Sequence, residues 1–517
     1  MNIIMKDMSM NIENKAKAGR PELPEHVRLR FCPSPTGIPH VGMIHTALYN
    51  WAEARHTGGT LIFRMEDTDS KRDTQESLDM IIEALHWMGI DWDEGIGKGP
   101  DELYFQSKRA DVYAKVARQL LDAGYAYESY STAEETAARN RAAGRPETFG
   151  YDGYDRTLTE EQKAAFRAQG RKPALRLRVP DEDITWNDLI RGPITFKAGS
   201  FPDYVIVRPN GEALYTLTNP VDDAVTGVNV VLRGEDLLPS TPRQIVLYRY
   251  LAKLGIAKAT PLFGHLPYVM GEGNKKLSKR DPQSNLFLLR DQGFIREGLL
   301  NYLALLGWSF SATEDVFSME QFIEKFDVRD VKANPAHFDI KKAISINAEH
   351  IRRLDPDDFL RRSTPYLFRD GVVSAKDWSD LTDREKDILV KAVPLVQTRV
   401  RLLGEVSGMV GSLLSTETYL EPAPDARKQL KAGSDEVLDK AIAVLEGVDE
   451  ADWKTDTLHQ VLDDELVEKD GIKPRLAFGP IRVAISGRRV SPPLFESMEI
   501  IGKPVVMARL AELRKRI

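Results

Sequence analysis

Three prolines and two glycines, set between a strand-like and a helix-like pattern, decide how the first part of this 517-residue chain folds. The run is Arg30-Phe31-Cys32-Pro33-Ser34-Pro35-Thr36-Gly37-Ile38-Pro39-His40-Val41-Gly42. Proline forbids helix here and glycine permits tight turns. Before it, residues 27–31 alternate as a half-buried strand does. After it the period changes, and Ile44, Ala47, Leu48, Trp51 and Ala52 fall on one helical face. Strand, rigid loop, helix is the geometry in which an open α/β sheet binds a nucleotide, beyond the carboxyl end of a strand and at a helix N-terminus. The loop puts His40, a donor near neutral pH, beside Gly42, where phosphate can approach.

The chain has no GxxxxGK[ST] motif, so it is not a P-loop protein. A second phosphate element lies far downstream in Lys275-Lys276-Leu277-Ser278-Lys279-Arg280, where lysines, a hydroxyl and an arginine suit a polyphosphate clamp. Alone, such a charge run is usually a solvated loop. Residues 60–65 read as an apolar strand, and Arg64-Met65-Glu66-Asp67-Thr68-Asp69 stands at its carboxyl end. Glu66 is the ligand candidate there, while Asp67 to Asp69 serve equally well as a helix N-cap. Val221-Asp222-Asp223 and Arg233-Gly234-Glu235-Asp236 follow.

Taken in this order, the His40-x-Gly42 loop and the Lys276-Leu277-Ser278-Lys279-Arg280 loop resemble the two signature loops of class I aminoacyl-tRNA synthetases. The flanking motifs narrow the resemblance to the glutamyl-tRNA synthetases of bacterial type, from about residue 26 onward. The resemblance implies an α/β fold: a Rossmann-like nucleotide-binding parallel sheet interrupted by an α+β insertion, followed by all-α C-terminal domains. It implies ATP-dependent ligation of L-glutamate to tRNA(Glu) through a glutamyl-adenylate, with Mg²⁺ as the accompanying ion, by a cytoplasmic monomer.

Bulk numbers agree with several domains. Hydrophobic content of 42% and charged content of 29% are ordinary for a globular protein. A net charge of −7 argues against a general DNA-coating protein and leaves room for a local track that holds one RNA. The single cysteine, Cys32, rules out an internal disulfide and a cysteine-rich zinc site. No apolar run is long enough for a membrane span, and the first residues lack the apolar stretch of a signal peptide.

In chain order, residues 1–25 read as a disordered extension and 26–108 as the first half of the catalytic domain. Residues 109–210 read as a connective insertion, 211–283 as the second catalytic half, 284–360 as a helical domain against the tRNA stem, and 361–517 as a helical anticodon-binding region. The resemblance assigns the insertion to the acceptor end. Many relatives carry a cysteine zinc knuckle there, where this chain has Ser129, Ser131 and Asp155, so no zinc is expected. Residues 204–207 and 228–232 read as strands returning to the first sheet. Thr241-Pro242-Arg243-Gln244 reads as a capped helix start, with no chemistry for Thr241. His45 and His265 read as ordinary structural histidines.

The implied site follows residue by residue. His40, Lys276 and Lys279 are the catalytic candidates. ATP falls to His40, Gly42, Asp236, Lys276, Leu277, Ser278, Lys279 and Arg280. Glutamate falls to Arg30, Ser34, Glu66, Tyr215 and Arg233, with Arg233 facing the side-chain carboxylate as a bidentate arginine can. Arg72 and Arg399 are the tRNA candidates, at the acceptor side and the anticodon. A glutaminyl or tRNA-modifying relative and an inactive RNA-binding paralogue remain as alternatives. The helical tail, the full length and the intact signature residues count against them.

Overall fold

The structure is a computed structural model describing residues 19–68, 73–146, 149–271, 273, 275–277 and 281–517. It divides into two compact units, Met1–Phe287 with Leu300–Asp339, and Leu288–Leu299 with Ile340–Ile517.

The first unit is built on short parallel strands. β1 (Arg28–Phe31), β2 (Thr60–Phe63) and β3 (Glu94–Gly95) pair in that order, with Arg28 opposite Thr60 and Ile62 opposite Glu94. Helix α1 (Val41–His56) packs on β1 and β2 through Ile44, Ala47, Leu48 and Ala52, all fully buried. The half-buried alternation expected of residues 27–31 does not hold. Leu29, Arg30 and Phe31 are all buried, because a parallel sheet is covered on both faces. Helix α2 (Gln75–Met88) is capped by Thr74, which accepts from the Ser77 amide at 3.1 Å. Asp67 is therefore not a cap, and its Oδ1 accepts from the Ser107 amide at 2.9 Å.

The next segment forms a separate antiparallel sheet and a hairpin. β4 (Ala126–Ser129), β5 (Ala174–Leu177) and β8 (Tyr204–Val207) make the sheet, with β5 central. β6 (Ile184–Asp188) and β7 (Gly192–Phe196) make the hairpin. β8 thus pairs with β5, Tyr204 opposite Leu177, and does not return to the first sheet. Its burial alternates, as suits an antiparallel sheet with one face covered, and an apolar run of four residues cannot reveal its partner in advance. At the former knuckle position, Ser129 Oγ donates to Asp155 Oδ2 at 2.6 Å and the Ser131 amide to the same oxygen at 3.1 Å. Arg176 and Arg139 donate to the two serine hydroxyls, each at 2.9 Å.

Helix α3 (Tyr215–Thr226) leads into β9 (Val230–Gly234), helix α4 (Thr241–Lys253) and β10 (Leu262–Leu266). β9 and β10 are parallel, Val230 opposite Leu262. Asn229 joins this pair to β1: its amide donates to Arg28 O at 3.1 Å, and its Oδ1 accepts from the Arg28 amide at 2.7 Å. The carboxyl ends of β1 and β9 therefore open on one crevice. Residues 19–25, expected to be unstructured, are fastened to this unit. Arg20 donates to the carbonyls of Leu189 at 2.6 Å and Arg329 at 3.1 Å. Residues 1–18 lie outside the described part.

The second unit is helical, with no strand among its described residues. Ile340–Arg353, Pro356–Arg369, Asp383–Val396 and Val406–Leu414 close on Ile351, Phe359, Leu389 and Val410. Ser434–Glu446, Thr455–Asp463, Pro474–Ser486, Leu494–Ile501 and Lys503–Arg514 close on Leu438, Leu462, Ile481 and Leu510. No described helix is long and apolar enough to cross a membrane.

Candidate active site

A cleft of about 390 Å³ lies in the first unit, beyond the carboxyl ends of β1 and β9. Arg30, Ser34, His40, Gly42, Glu66, Tyr215, Arg233, Asp236, Lys276 and Leu277 all line it. The residues proposed from sequence for ATP and for an amino acid are thus brought together wherever the structure describes them.

His40 is the N-cap of α1. Its backbone is extended (φ −130°, ψ 160°), and its Nδ1 accepts from the Met43 amide at 3.2 Å. With Nδ1 accepting, the ring proton sits on Nε2. Gly42 leaves room for this ring: a Cβ at that position would sit 3.3 Å from His40 Nδ1 and 3.4 Å from Cε1, close enough to push it aside slightly. The glycine of the His-x-Gly pair therefore makes room for the histidine. Lys276 faces this end from the other side, 3.5 Å from Asp236 Oδ2 and with Nζ 4.6 Å from the Tyr268 ring centroid. Its strand-like segment is held by Leu277 N to Val269 O at 3.0 Å and Gly271 N to Lys275 O at 2.8 Å.

The opposite end, where Arg30, Glu66, Tyr215 and Arg233 line the cleft, is backed by further buried charges. Arg30 donates from Nε to Asp223 Oδ2 at 3.2 Å, and Arg64 Nη2 approaches Asp223 Oδ1 at 2.8 Å. Asp222 accepts from Arg109 Nε at 2.7 Å, Gln106 Nε2 at 2.8 Å and Tyr113 Oη at 2.8 Å. Burial raises the Asp223 carboxyl, but Arg30 and Arg64 outweigh it and hold it below the usual range. Glu66 accepts from Asn219 Nδ2, and its amide donates to Pro33 O at 3.0 Å. Burial pushes its carboxyl above the usual range, with Arg64 and Arg30 pulling the other way. Burial also pushes the Tyr215 phenol up to about 12 and the Cys32 thiol up to about 12, so neither ionises near neutrality. Burial drives His45 down to about 4, so its ring stays neutral, bonded to Leu306 O at 2.8 Å.

Arg233 is buried and lies within β9, which runs on to Gly234 where the sequence reading ended the strand at residue 232. Its Nη1 donates to Tyr215 Oη at 3.3 Å and its Nη2 to Thr241 Oγ1 at 2.7 Å. Thr241 is not the cap read from the sequence. Helix α4 begins at Thr241 itself, Ser240 makes no capping bond, and the Thr241 hydroxyl is fully buried against Arg233 and His265.

Ser278, Lys279, Arg280 and Arg72 lie outside the described residues. Arg399 belongs to the second unit, where it lines a separate hollow with Arg482, His459, Phe478 and Phe495. Sequence reading missed Asn219, Thr241, His265 and Asp188. Asn219 had a signal, since Tyr215, Asn219, Asp222 and Asp223 recur at helical spacing and form one polar face of α3. The other three come from distant segments and left no local pattern.

A family profile described as "tRNA synthetases class I (E and Q), catalytic domain" matches residues 26–344, and one described as "Anticodon binding domain" matches 358–514. The chain belongs to the class I tRNA synthetases. It is 74% identical to the glutamate–tRNA ligase of Bifidobacterium adolescentis over 96% of this chain and 99% of that one. It is 61% identical to the glutamate–tRNA ligase of an Arthrobacter species over 94% of this chain and 96% of that one. A crystal structure of a glutamate tRNA ligase from Elizabethkingia meningosepticum in complex with its amino acid superposes with a TM-score of 0.81 at 27% identity, covering 95% of this chain and 99% of that one.

Proposed function

We infer that this chain ligates L-glutamate to tRNA(Glu) with ATP, as a cytoplasmic enzyme of protein synthesis. The observation that carries the reading is the single cleft. It holds the His40 and Lys276 elements at one end and two buried arginines, Glu66 and Tyr215 at the other.

The chemistry needs positioning more than a covalent nucleophile. A glutamate α-carboxylate oxygen attacks the ATP α-phosphorus, the bond to the pyrophosphate oxygen breaks, and pyrophosphate leaves. His40 donates from Nε2 to phosphate oxygens as charge develops, and Lys276 neutralises the leaving group. Lys279, Ser278 and Arg280 continue that clamp. Gly42 and Leu277 give the nucleotide backbone-lined surface. Mg²⁺ binds largely through phosphates and water with one or two carboxylates. Asp236, exposed at the mouth of the cleft beside Lys276, is a carboxylate that would hold such an ion, which would supply charge neutralisation. In the second step the terminal ribose hydroxyl of tRNA attacks the activated carbonyl and AMP leaves.

Glutamate selection rests on charge. The Glu66 carboxylate faces the substrate ammonium, Arg30 and Ser34 stand at the loop side, and Arg233 with Tyr215 takes the side-chain carboxylate. Glutamine in that place would leave a buried guanidinium unpaired, and such a penalty is what discriminates. By the same reading, residues 109–210 are an insertion in an interrupted nucleotide-binding sheet and embrace the acceptor end near Arg72. Residues 284–360 meet the stem, and Arg399 reads the anticodon. The enzyme works as a monomer without zinc.

The test is Arg233→Ala. Measured as kcat/KM for glutamate and glutamine in tRNA charging, the variant should lose most glutamate activity, on the order of 100-fold or more, and narrow the preference. An unchanged glutamate-to-glutamine ratio would show that Arg233 does not read the side chain.

A further inference from the structure

Behind Arg233 lies a directional chain of buried polar groups. Asp188, at the end of β6, is fully buried, and its Oδ1 accepts from the amides of Ile190 at 3.0 Å, Arg191 at 3.1 Å and His265 at 3.2 Å. Its Oδ2 lies 2.5 Å from His265 Nδ1. His265 sits in β10 directly opposite Arg233 of β9 and is fully buried. Its Nε2 is 2.8 Å from Thr241 Oγ1 and 3.4 Å from Arg233 Nε. Thr241 Oγ1 in turn lies 2.7 Å from Arg233 Nη2.

The donors can be assigned from chemistry. An ionised carboxylate only accepts, so His265 carries a proton on Nδ1. The groups facing the ring are Asp188 on one side and Arg233 with Arg191 on the other, the last donating to the His265 carbonyl at 3.3 Å. Burial, with those two cations against the pull of Asp188, keeps His265 below the ordinary histidine range, so Nε2 bears a lone pair. Thr241 O–H then donates to Nε2, and its oxygen is left to accept from Arg233 Nη2. Two sides of the guanidinium are thereby tied to the protein. Nη1 gives one hydrogen to Tyr215, and its other hydrogen, with the second one of Nη2, is left for what enters the cleft.

We propose that Asp188, His265 and Thr241 are positioning residues that set the rotation of Arg233, and so sharpen the choice of glutamate over glutamine. The proposal rests on the reading of Arg233 as the group that meets the substrate side chain. None of the three lines the cleft. Without them the guanidinium keeps its charge and loses its orientation, and a carboxylate needing two parallel hydrogen bonds is the ligand most affected.

The experiment compares Thr241→Val, Thr241→Ser, Arg233→Ala and the Thr241→Val/Arg233→Ala double variant. The readouts are kcat/KM for both amino acids in tRNA charging and KM for ATP. Thr241→Val keeps the volume and removes the hydroxyl. It is expected to lower glutamate kcat/KM on the order of 10-fold, mainly through KM, to reduce the glutamate-to-glutamine ratio, and to leave KM for ATP unchanged. Thr241→Ser restores the ratio. The double variant is no worse than Arg233→Ala, because the hydroxyl acts through that arginine. A wild-type ratio in Thr241→Val, or a loss that adds in full to that of Arg233→Ala, overturns the proposal while Arg233 keeps its role. An unchanged ratio in Arg233→Ala overturns both. Should Thr241→Val fail to fold, Asp188→Asn serves instead. Its amide donates to Nδ1, moves the ring proton to Nε2 and removes the acceptor that Thr241 uses, with the same fall in ratio expected and an unchanged ratio contradicting it.

Discussion

At the scale of single residues, the site is a set of ordinary groups made particular by what surrounds them. His40 is a useful donor because a backbone amide occupies its Nδ1, and Gly42 leaves the space for that ring. Gly42→Ala tests this point. Gly42 lies inside a helix, where alanine is favoured by roughly 0.5–1 kcal/mol, so thermal stability should not fall. Single-turnover adenylate formation should nevertheless drop on the order of 10-fold, since the added Cβ pushes the imidazole out of place. Unimpaired activation with a wild-type melting temperature would remove Gly42 from this role. Lys276→Ala should slow the same step by on the order of 100- to 1,000-fold with glutamate binding retained, and near-normal activation would reassign it to the Asp236 pair alone.

Elements explain why those residues converge, and they mark where sequence reading runs out. The proline-rich loop and α1 were legible because each carries its own local signal: forbidden helix and a 3.6-residue period. The polar face of α3 carries a signal of the same kind, polar groups three and four apart, and went unread. The partner of β8 was not legible, since an apolar tetrapeptide suits any sheet. Nor was the role of Thr241, whose neighbours imitate a capping box while its hydroxyl turns to a strand 24 residues away. The face of α3 also predicts stability. Asp223 pairs with Arg30 and Arg64 out of water, and breaking such a pair costs roughly 3–5 kcal/mol. Asp223→Ala should lower stability by about that amount in urea unfolding. Because the Asp223 pKa is depressed in the fold, its contribution is complete above the unfolded carboxyl value near pH ~3.9 and is lost as pH falls through the folded value. A variant as stable as wild type at pH 7 would contradict the assignment. Beside the antiparallel sheet, Asp155 Oδ2 accepts from the Ser129 hydroxyl and the Ser131 amide, and the chain's single cysteine, Cys32, lies elsewhere, so elemental analysis should find no stoichiometric zinc. Zinc whose chelation unfolds the protein would refute that.

Over the whole molecule, the proposed active site and the proposed anticodon-reading residue lie in different units. The cleft is built entirely within the first, from strands whose carboxyl ends open on one crevice, and the hollow that holds Arg399 entirely within the second. A net charge of −7 leaves RNA binding to local groups such as these and gives no general affinity for nucleic acid. The central claim is that the first unit activates glutamate and passes it to tRNA. It is tested most directly by ATP–pyrophosphate exchange and tRNA charging with the unmodified protein, supplied in turn with glutamate and with glutamine, each with and without tRNA. The account predicts that glutamate is activated and transferred to tRNA(Glu) and that glutamine is not transferred. Equal or preferential transfer of glutamine, or no activation of either amino acid, would contradict it.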